Sequence, residues 1–161
     1  MKQICNLLLI TAFIFTLSCR EESSAKKNDA HWAVVADTIQ YSVNIKADFE
    51  EEPWVAEQLK QLNNRELVDQ LFESVYRHQA KAYNFLDNRP LTLEEVKEIE
   101  INPSYDRELA ARLHFWECWK YNAQGTLFEK KVLKVMIAYE ARTEDGELKG
   151  YKAGIVIEMK Q

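Results

Sequence analysis

The stretch that decides the fold is residues 127–159, LFEKKVLKVMIAYEARTEDGELKGYKAGIVIEM. Its two β-rich runs, 127–139 and 148–159, flank Thr143-Glu144-Asp145-Gly146, which has the composition of a hairpin turn. The first run also fits a helical period, through Phe128, Val132, Val135, Met136 and Tyr139. The turn favours strands, because a hairpin joins adjacent antiparallel strands. We therefore predict two paired strands here.

Two further strands are predicted upstream of this hairpin. Large side chains occupy both alternating sets over residues 113–121, which indicates a strand with two partly covered faces. Residues 122–125, Asn-Ala-Gln-Gly, follow it as a turn. Earlier, apolar and polar residues alternate over 39–45, as in a half-buried strand.

Helices are predicted between residues 53 and 111. Pro53 suits the first position of a helix that runs to residue 62. Asn63 can cap a second helix with Glu66 returning the bond, and the apolar face of this helix runs from Leu67 to Tyr76. Thr92 with Glu95 forms a capping box for a third. We also expect a brief strand over 82–85 and a short fourth helix over 104–111.

These elements define an α+β fold. We expect N-terminal helices followed by an antiparallel meander of three to four strands, in a single domain over residues 31–161. Residues 19–30 are polar, small and aperiodic, and are predicted to form a flexible tether.

The first 18 residues have the pattern of a lipoprotein signal peptide. Lys2 precedes an apolar run that is too short to span a membrane and stops at Ser18-Cys19. Cleavage there would leave Cys19 as the lipidated N-terminus, and several acyl chains anchor a protein stably. The alternative is an ordinary secretory signal with an incidental cysteine. We expect an outer-membrane lipoprotein, on the periplasmic face or the cell surface.

Charge and cysteine content narrow the function classes. Removing the signal peptide lowers the net charge from −5 to about −6, and the basic runs are short, which argues against nucleic-acid binding. Cys118 would be the last free thiol, so no intramolecular disulfide is expected.

No catalytic constellation is recognisable. His114 and Cys118 would lie roughly 13 Å apart on a strand, too far for a dyad, although a helix would bring them together. His31 and His78 lack metal-ligand spacing, and the glycines form no phosphate loop. We expect no enzyme activity, no metal and no cofactor.

Aromatic residues are unusually frequent for a domain of this size, and aromatics dominate both cores and interface hot spots. The residues predicted to form an interaction surface are Trp54, Tyr83, Trp116, Trp119 and Tyr121.

Three segments carry a family resemblance. Residues 80–85 (AKAYNF), 90–96 (PLTLEEV) and 117–122 (ECWKYN) resemble, in order, the pattern of the gliding-motility family that supplies the N component of the type IX secretion ring of Bacteroidetes. The chain departs from that pattern in being shorter, in its own lipidation signal and in Asn122, where the family has Asp. In these features it resembles a short lipoprotein paralogue of the family, or an isolated domain of one of its members.

The resemblance implies a structural or assembly component that acts through protein contacts, since the family builds a periplasmic ring with a lipoprotein partner. Partners would then be ring-forming secretion or motility lipoproteins, and a homo-oligomer is left open. The alternative function is a lipid-anchored module that binds a ligand in an aromatic-lined pocket.

Overall fold

A five-stranded antiparallel sheet and three helices make up the part of the chain that the structure, a computed structural model, describes: residues 31–47 and 52–160. In chain order the elements are β1 (Trp32–Asn44), α1 (Pro53–Leu59), α2 (Asn64–Tyr76), β2 (Lys81–Asn84), α3 (Leu93–Ile101), β3 (Ala110–Asn122), β4 (Leu127–Arg142) and β5 (Leu148–Glu158). The α+β class is confirmed. The predicted signal peptide, Cys19 and the tether lie outside the described residues.

The strands lie in the order β1-β3-β4-β5-β2, and all neighbours are antiparallel. The predicted meander of β3, β4 and β5 is confirmed. Two parts of the prediction are wrong. The sheet has five strands rather than three or four, because β2 pairs with β5 at one edge and β1 with β3 at the other. The helices do not precede the sheet, since β1 comes before α1.

The two capped helices begin where their sequence signals predicted. The Asn63 side chain accepts the Glu66 N–H at 3.1 Å, while the Glu66 carboxylate accepts from Gln70 instead of returning the bond. At α3 both bonds of the box between Thr92 and Glu95 are present. Reciprocal bonding thus fixes the start of α3, and a single cap bond that of α2.

The predicted fourth helix over 104–111 is wrong. Two short 3₁₀ turns, Pro103–Tyr105 and Arg107–Leu109, occupy this segment instead. Asp106 separates them with an extended backbone (ψ 134°), and its side chain accepts the Glu108 N–H at 2.9 Å. This local bond replaces the helical ladder.

The hydrophobic core lies between helices α2 and α3 and one face of the sheet, here named the covered face. Phe72 from α2 and Val96 from α3 are fully buried against Ile137, Tyr139 and Ile157. Burying each such side chain contributes about 1.5–3 kcal/mol. Arg107 links the two helices, because it forms ion pairs with Asp69 of α2 and Glu100 of α3.

Candidate functional site

The face of the sheet opposite α2 and α3 carries a second apolar cluster. Its buried centre is Met136, Ala138 and Val156, and its partly buried margin is Tyr83, Trp116, Tyr151 and Ala153. No helix residue in the described part of the chain belongs to this cluster. These seven residues are named the open face. Their large side chains shield one another, so that Met136 is only 8% exposed without a helix above it.

Strand register brings the open face together from four strands. In β3 and β4, Trp116 lies opposite Lys134, and His114 lies opposite Met136. Met136 in turn pairs with Val156 of β5, which pairs with Tyr83 of β2. Because paired residues point to the same face, His114, Met136, Val156 and Tyr83 form one row across the sheet. Trp116 and Lys134 lie in the adjacent row of the same face.

Basic side chains lie over the aromatic rings of the open face. The Arg112 guanidinium carbon is 3.8 Å from the ring centroid of Tyr151, and the Lys134 ammonium is 5.3 Å from that of Tyr83. The Tyr83 hydroxyl donates to Glu158 at 2.6 Å, and this bond raises the pKa of Tyr83. The open face is therefore an apolar centre with charged groups, two of them cationic, at its margin.

His114 and Cys118 lie on the same strand of this surface but do not form a reactive pair. His114 stacks edge-on against Trp116, with 4.5 Å between centroids, and its Nδ1 is 2.9 Å from the Ser42 hydroxyl. Cys118 lies four residues further along β3, opposite Lys131. Since this segment is a strand, the two side chains are separated by roughly 13 Å.

Trp119 and Tyr121 point to the opposite face from Trp116, because side chains alternate along β3. The Trp119 indole N–H donates to Glu117 at 2.8 Å, and the Tyr41 hydroxyl donates to the other oxygen of the same carboxylate at 2.8 Å. Glu117 is 5% exposed, and burial together with this bond raises the pKa of Tyr41. These aromatics hold a buried carboxylate in place.

The predicted interaction residues therefore lie in three places. Tyr83 and Trp116 share the open face, Trp119 and Tyr121 lie beyond it on the other side of the sheet, and Trp54 is 74% exposed on α1. The sequence prediction missed Arg112, Lys134, Met136, Ala138 and Val156. Alternation of side chains along β3 and β4 could have identified Arg112, Lys134 and Met136. It places Arg112 on the same face of β3 as His114 and Trp116, and it places Lys134 and Met136 together on one face of β4.

A cleft of about 370 Å³ lies between the turn after β2, helix α3 and strand β5. Phe85, Leu86, Ile99 and Tyr105 belong to its apolar lining, and Lys152 is its charged residue. The Lys152 ammonium lies 4.5 Å from the Tyr105 ring centroid. The cleft is thus apolar with a cation over one of its aromatic walls.

Within residues 31–47 and 52–160, no group of three or more His, Cys, Asp or Glu side chains is placed to hold a metal ion. None of the helices in that same part of the chain has the length and apolar character needed to cross a membrane. In comparisons with known proteins, no family model and no curated protein matches this chain. The resemblance to the gliding-motility family stays a prediction.

Proposed function

We propose that this protein is a non-enzymatic, lipid-anchored component of an outer-membrane assembly and that it binds a partner protein through the open face. The observation that supports this most directly is the cluster of Trp116, Tyr83 and Tyr151 around Met136, on the side of the sheet away from the helices. Trp, Tyr, Met and Arg are the residues most enriched at interface centres and hot spots.

Two cations at the margin of the open face support a partner that carries negative charge. Arg112 and Lys134 lie over its aromatic rings, and Lys131 lies before Lys134 on β4, opposite Cys118. A complementary surface would therefore present an apolar centre flanked by carboxylates. Charge pairs of this kind guide partners into register and make association rates fall as salt increases.

The family resemblance and the predicted anchor give the setting of this interaction. Lipid at Cys19 would hold the domain at the outer membrane, where the family that the chain resembles builds its periplasmic ring. In that setting the chain would act as a structural or assembly part, with a secretion or motility lipoprotein as the partner.

Co-purification with matched variants tests the proposal. The tagged full chain is captured from detergent-solubilised membranes of its native host, as wild type, Trp116→Ser and Trp54→Ser, and the bound proteins are identified and quantified. We expect one stoichiometric membrane-associated partner with wild type and with Trp54→Ser, and loss of that partner with Trp116→Ser. Circular dichroism checks that all three are folded.

Equal recovery of the partner by Trp116→Ser would exclude the open face as the binding surface. Normal secretion and gliding in a clean deletion strain would count against the proposed assembly role itself. The two results address different parts of the proposal, because the first concerns the surface and the second the process.

A second candidate function is the binding of a small amphipathic anion in the cleft. Its volume lies within the roughly 300–1,000 Å³ range of ligand sites, and it combines two aromatic walls with one cation. Calorimetric titration with decanoate should then give saturable binding that decanol does not match and that Lys152→Gln weakens. Equal binding of decanol and decanoate would contradict a role for Lys152.

A further inference from the structure

Strand β1 forms one edge of the sheet, and its outer side pairs with no other strand of the described residues. Residues 38–44, TIQYSVN, contain no charged residue and no proline. Both register irregularities of β1 lie before Ile39, so that Ile39 to Asn44 pair regularly with β3. Natural edge strands are usually protected by charges, prolines or bulges. This half of β1 lacks all three.

The side chains of this segment form the same pattern in both directions from Tyr41. β-branched Ile39 and Val43 lie two residues before and after it, and polar Gln40 and Ser42 lie between. Thr38 and Asn44 extend the symmetry by one more polar pair. An antiparallel strand of identical sequence, centred on Tyr41, would therefore place apolar side chains beside apolar ones and polar beside polar.

The nearest charges on each side do not oppose such a pairing. Asp37 and Lys46 have opposite signs and flank the uncharged segment. In an antiparallel pair centred on Tyr41, Asp37 of one copy faces the uncharged residue 45 of the other, and the Lys46 side chain points to the opposite face of the sheet. Like charges do not meet at any position of the segment.

We propose that two copies of this chain pair antiparallel through residues 38–44 of β1, about a two-fold axis at Tyr41, and form one continuous ten-stranded sheet. The interface is isologous, so it closes at a dimer. The edge left at each end is β2, which has four residues. A two-fold axis perpendicular to the sheet places both open faces on the same side. This pairing uses the strand edge and does not depend on what binds the open face.

Disulfide trapping tests the axis directly. In the full chain carrying Cys118→Ser, Tyr41→Cys would place two cysteines opposite each other, with Cα atoms about 4.5–5.5 Å apart, within the range that a disulfide spans. In Val43→Cys the two cysteines would lie roughly 13 Å apart along the strands, beyond that range. The Cys118→Ser chain without a new cysteine is the control, because it shows how much disulfide-linked dimer the remaining native cysteines form.

Mild oxidation of detergent-solubilised membranes should give a covalent dimer with Tyr41→Cys and only the control level with Val43→Cys. Equal yields from both variants, or no dimer above the control from either, would overturn the proposed pairing.

A charge swap provides a second test, because Tyr41 also bonds to Glu117 and its replacement affects the monomer. Gln40 and Ser42 are exposed, and each would face the other across the axis. Gln40→Lys with Ser42→Lys opposes like charges, whereas Gln40→Lys with Ser42→Glu opposes unlike ones. By sedimentation of the full chain in detergent, the wild type and the Lys/Glu variant should be dimers, with association of the Lys/Lys variant weakened about tenfold or more. A monomeric wild type, or equal association of both variants, would refute the dimer.

Discussion

A methyl group added at Gly154 would have no room on the covered face of the sheet. A Cβ atom there would lie 2.4 Å from Cε2 of Tyr139 and 2.9 Å from the carbonyl oxygen of Ile137. The Tyr139 ring is fully buried and is held edge-on against Tyr105, with 5.3 Å between centroids. Neither the ring nor the neighbouring strand can yield without disturbing the core. Gly154→Ala should therefore destabilise the fold.

The size of the effect follows from two opposing contributions. Overpacking of a well-packed core costs about 1–3 kcal/mol. Replacing glycine by alanine removes freedom from the unfolded chain and returns about 0.4–1 kcal/mol, because Gly154 does not need a positive φ. We expect a net loss of about 1–2 kcal/mol in the free energy of unfolding.

Urea unfolding followed by tryptophan fluorescence measures this loss as a midpoint lowered by roughly 0.5–1 M, for a typical urea dependence. Gly125→Ala is the matched control. Its Cβ would meet the side chain of Leu127 at 3.2 Å, and Leu127 is 53% exposed and free to move. The control should unfold close to the wild-type midpoint. A Gly154→Ala midpoint equal to or above wild type would refute the packing described around Tyr139.

Three further predictions address the same core and its helices. The Tyr139 hydroxyl is buried without a hydrogen-bond partner among the described residues. Tyr139→Phe should therefore leave the free energy of unfolding unchanged or raise it by about 1–2 kcal/mol. A clear loss of stability in urea unfolding would contradict this prediction. Arg107 lowers the pKa of Asp69, so their pairing stabilises the fold above the unfolded pKa of about 4, and this stabilisation is lost as the pH falls through the lower folded pKa. Arg107→Met should therefore lose less of its free energy of unfolding than wild type between pH 7 and pH 3. An equal loss in both proteins would contradict the pairing. Thr92→Ala removes one bond of the α3 capping box and should cost about 1 kcal/mol in the same assay, and no change would show that the cap does not support α3.

The sequence predicted a helix or strand correctly where residues close to it in the chain determine where it begins or how it pairs. The capping residues Asn63 and Thr92 mark two helix starts, and the hairpin at 143–146 fixes two neighbouring strands. The pairing of β1 with β3 joins residues that are far apart in the chain, as in the bond from Tyr41 to Glu117, 76 positions away. Such pairing is decided by packing over the whole sheet, so no local pattern specifies it.

The candidate site was predictable only in part for the same reason. Trp116 and Trp119 are three residues apart on one strand, so alternation alone places them on opposite faces. Which of the two faces the helices cover depends on how α2 and α3 pack. The contacts of Trp116 depend on the register of β3 against β4, including its irregularity between Trp116 and Glu117. The aromatic residues were thus identified from the sequence, but their grouping was not.

Site-specific photocrosslinking in living cells tests the proposed role of the open face most directly. A photoreactive phenylalanine derivative is placed at position 116 in one full-length chain and at position 54, on the exposed face of α1, in another. The open-face proposal predicts a single major adduct with a membrane-associated partner protein from position 116 and none of that adduct from position 54. No adduct from position 116, or the same adduct in equal yield from both positions, would contradict it.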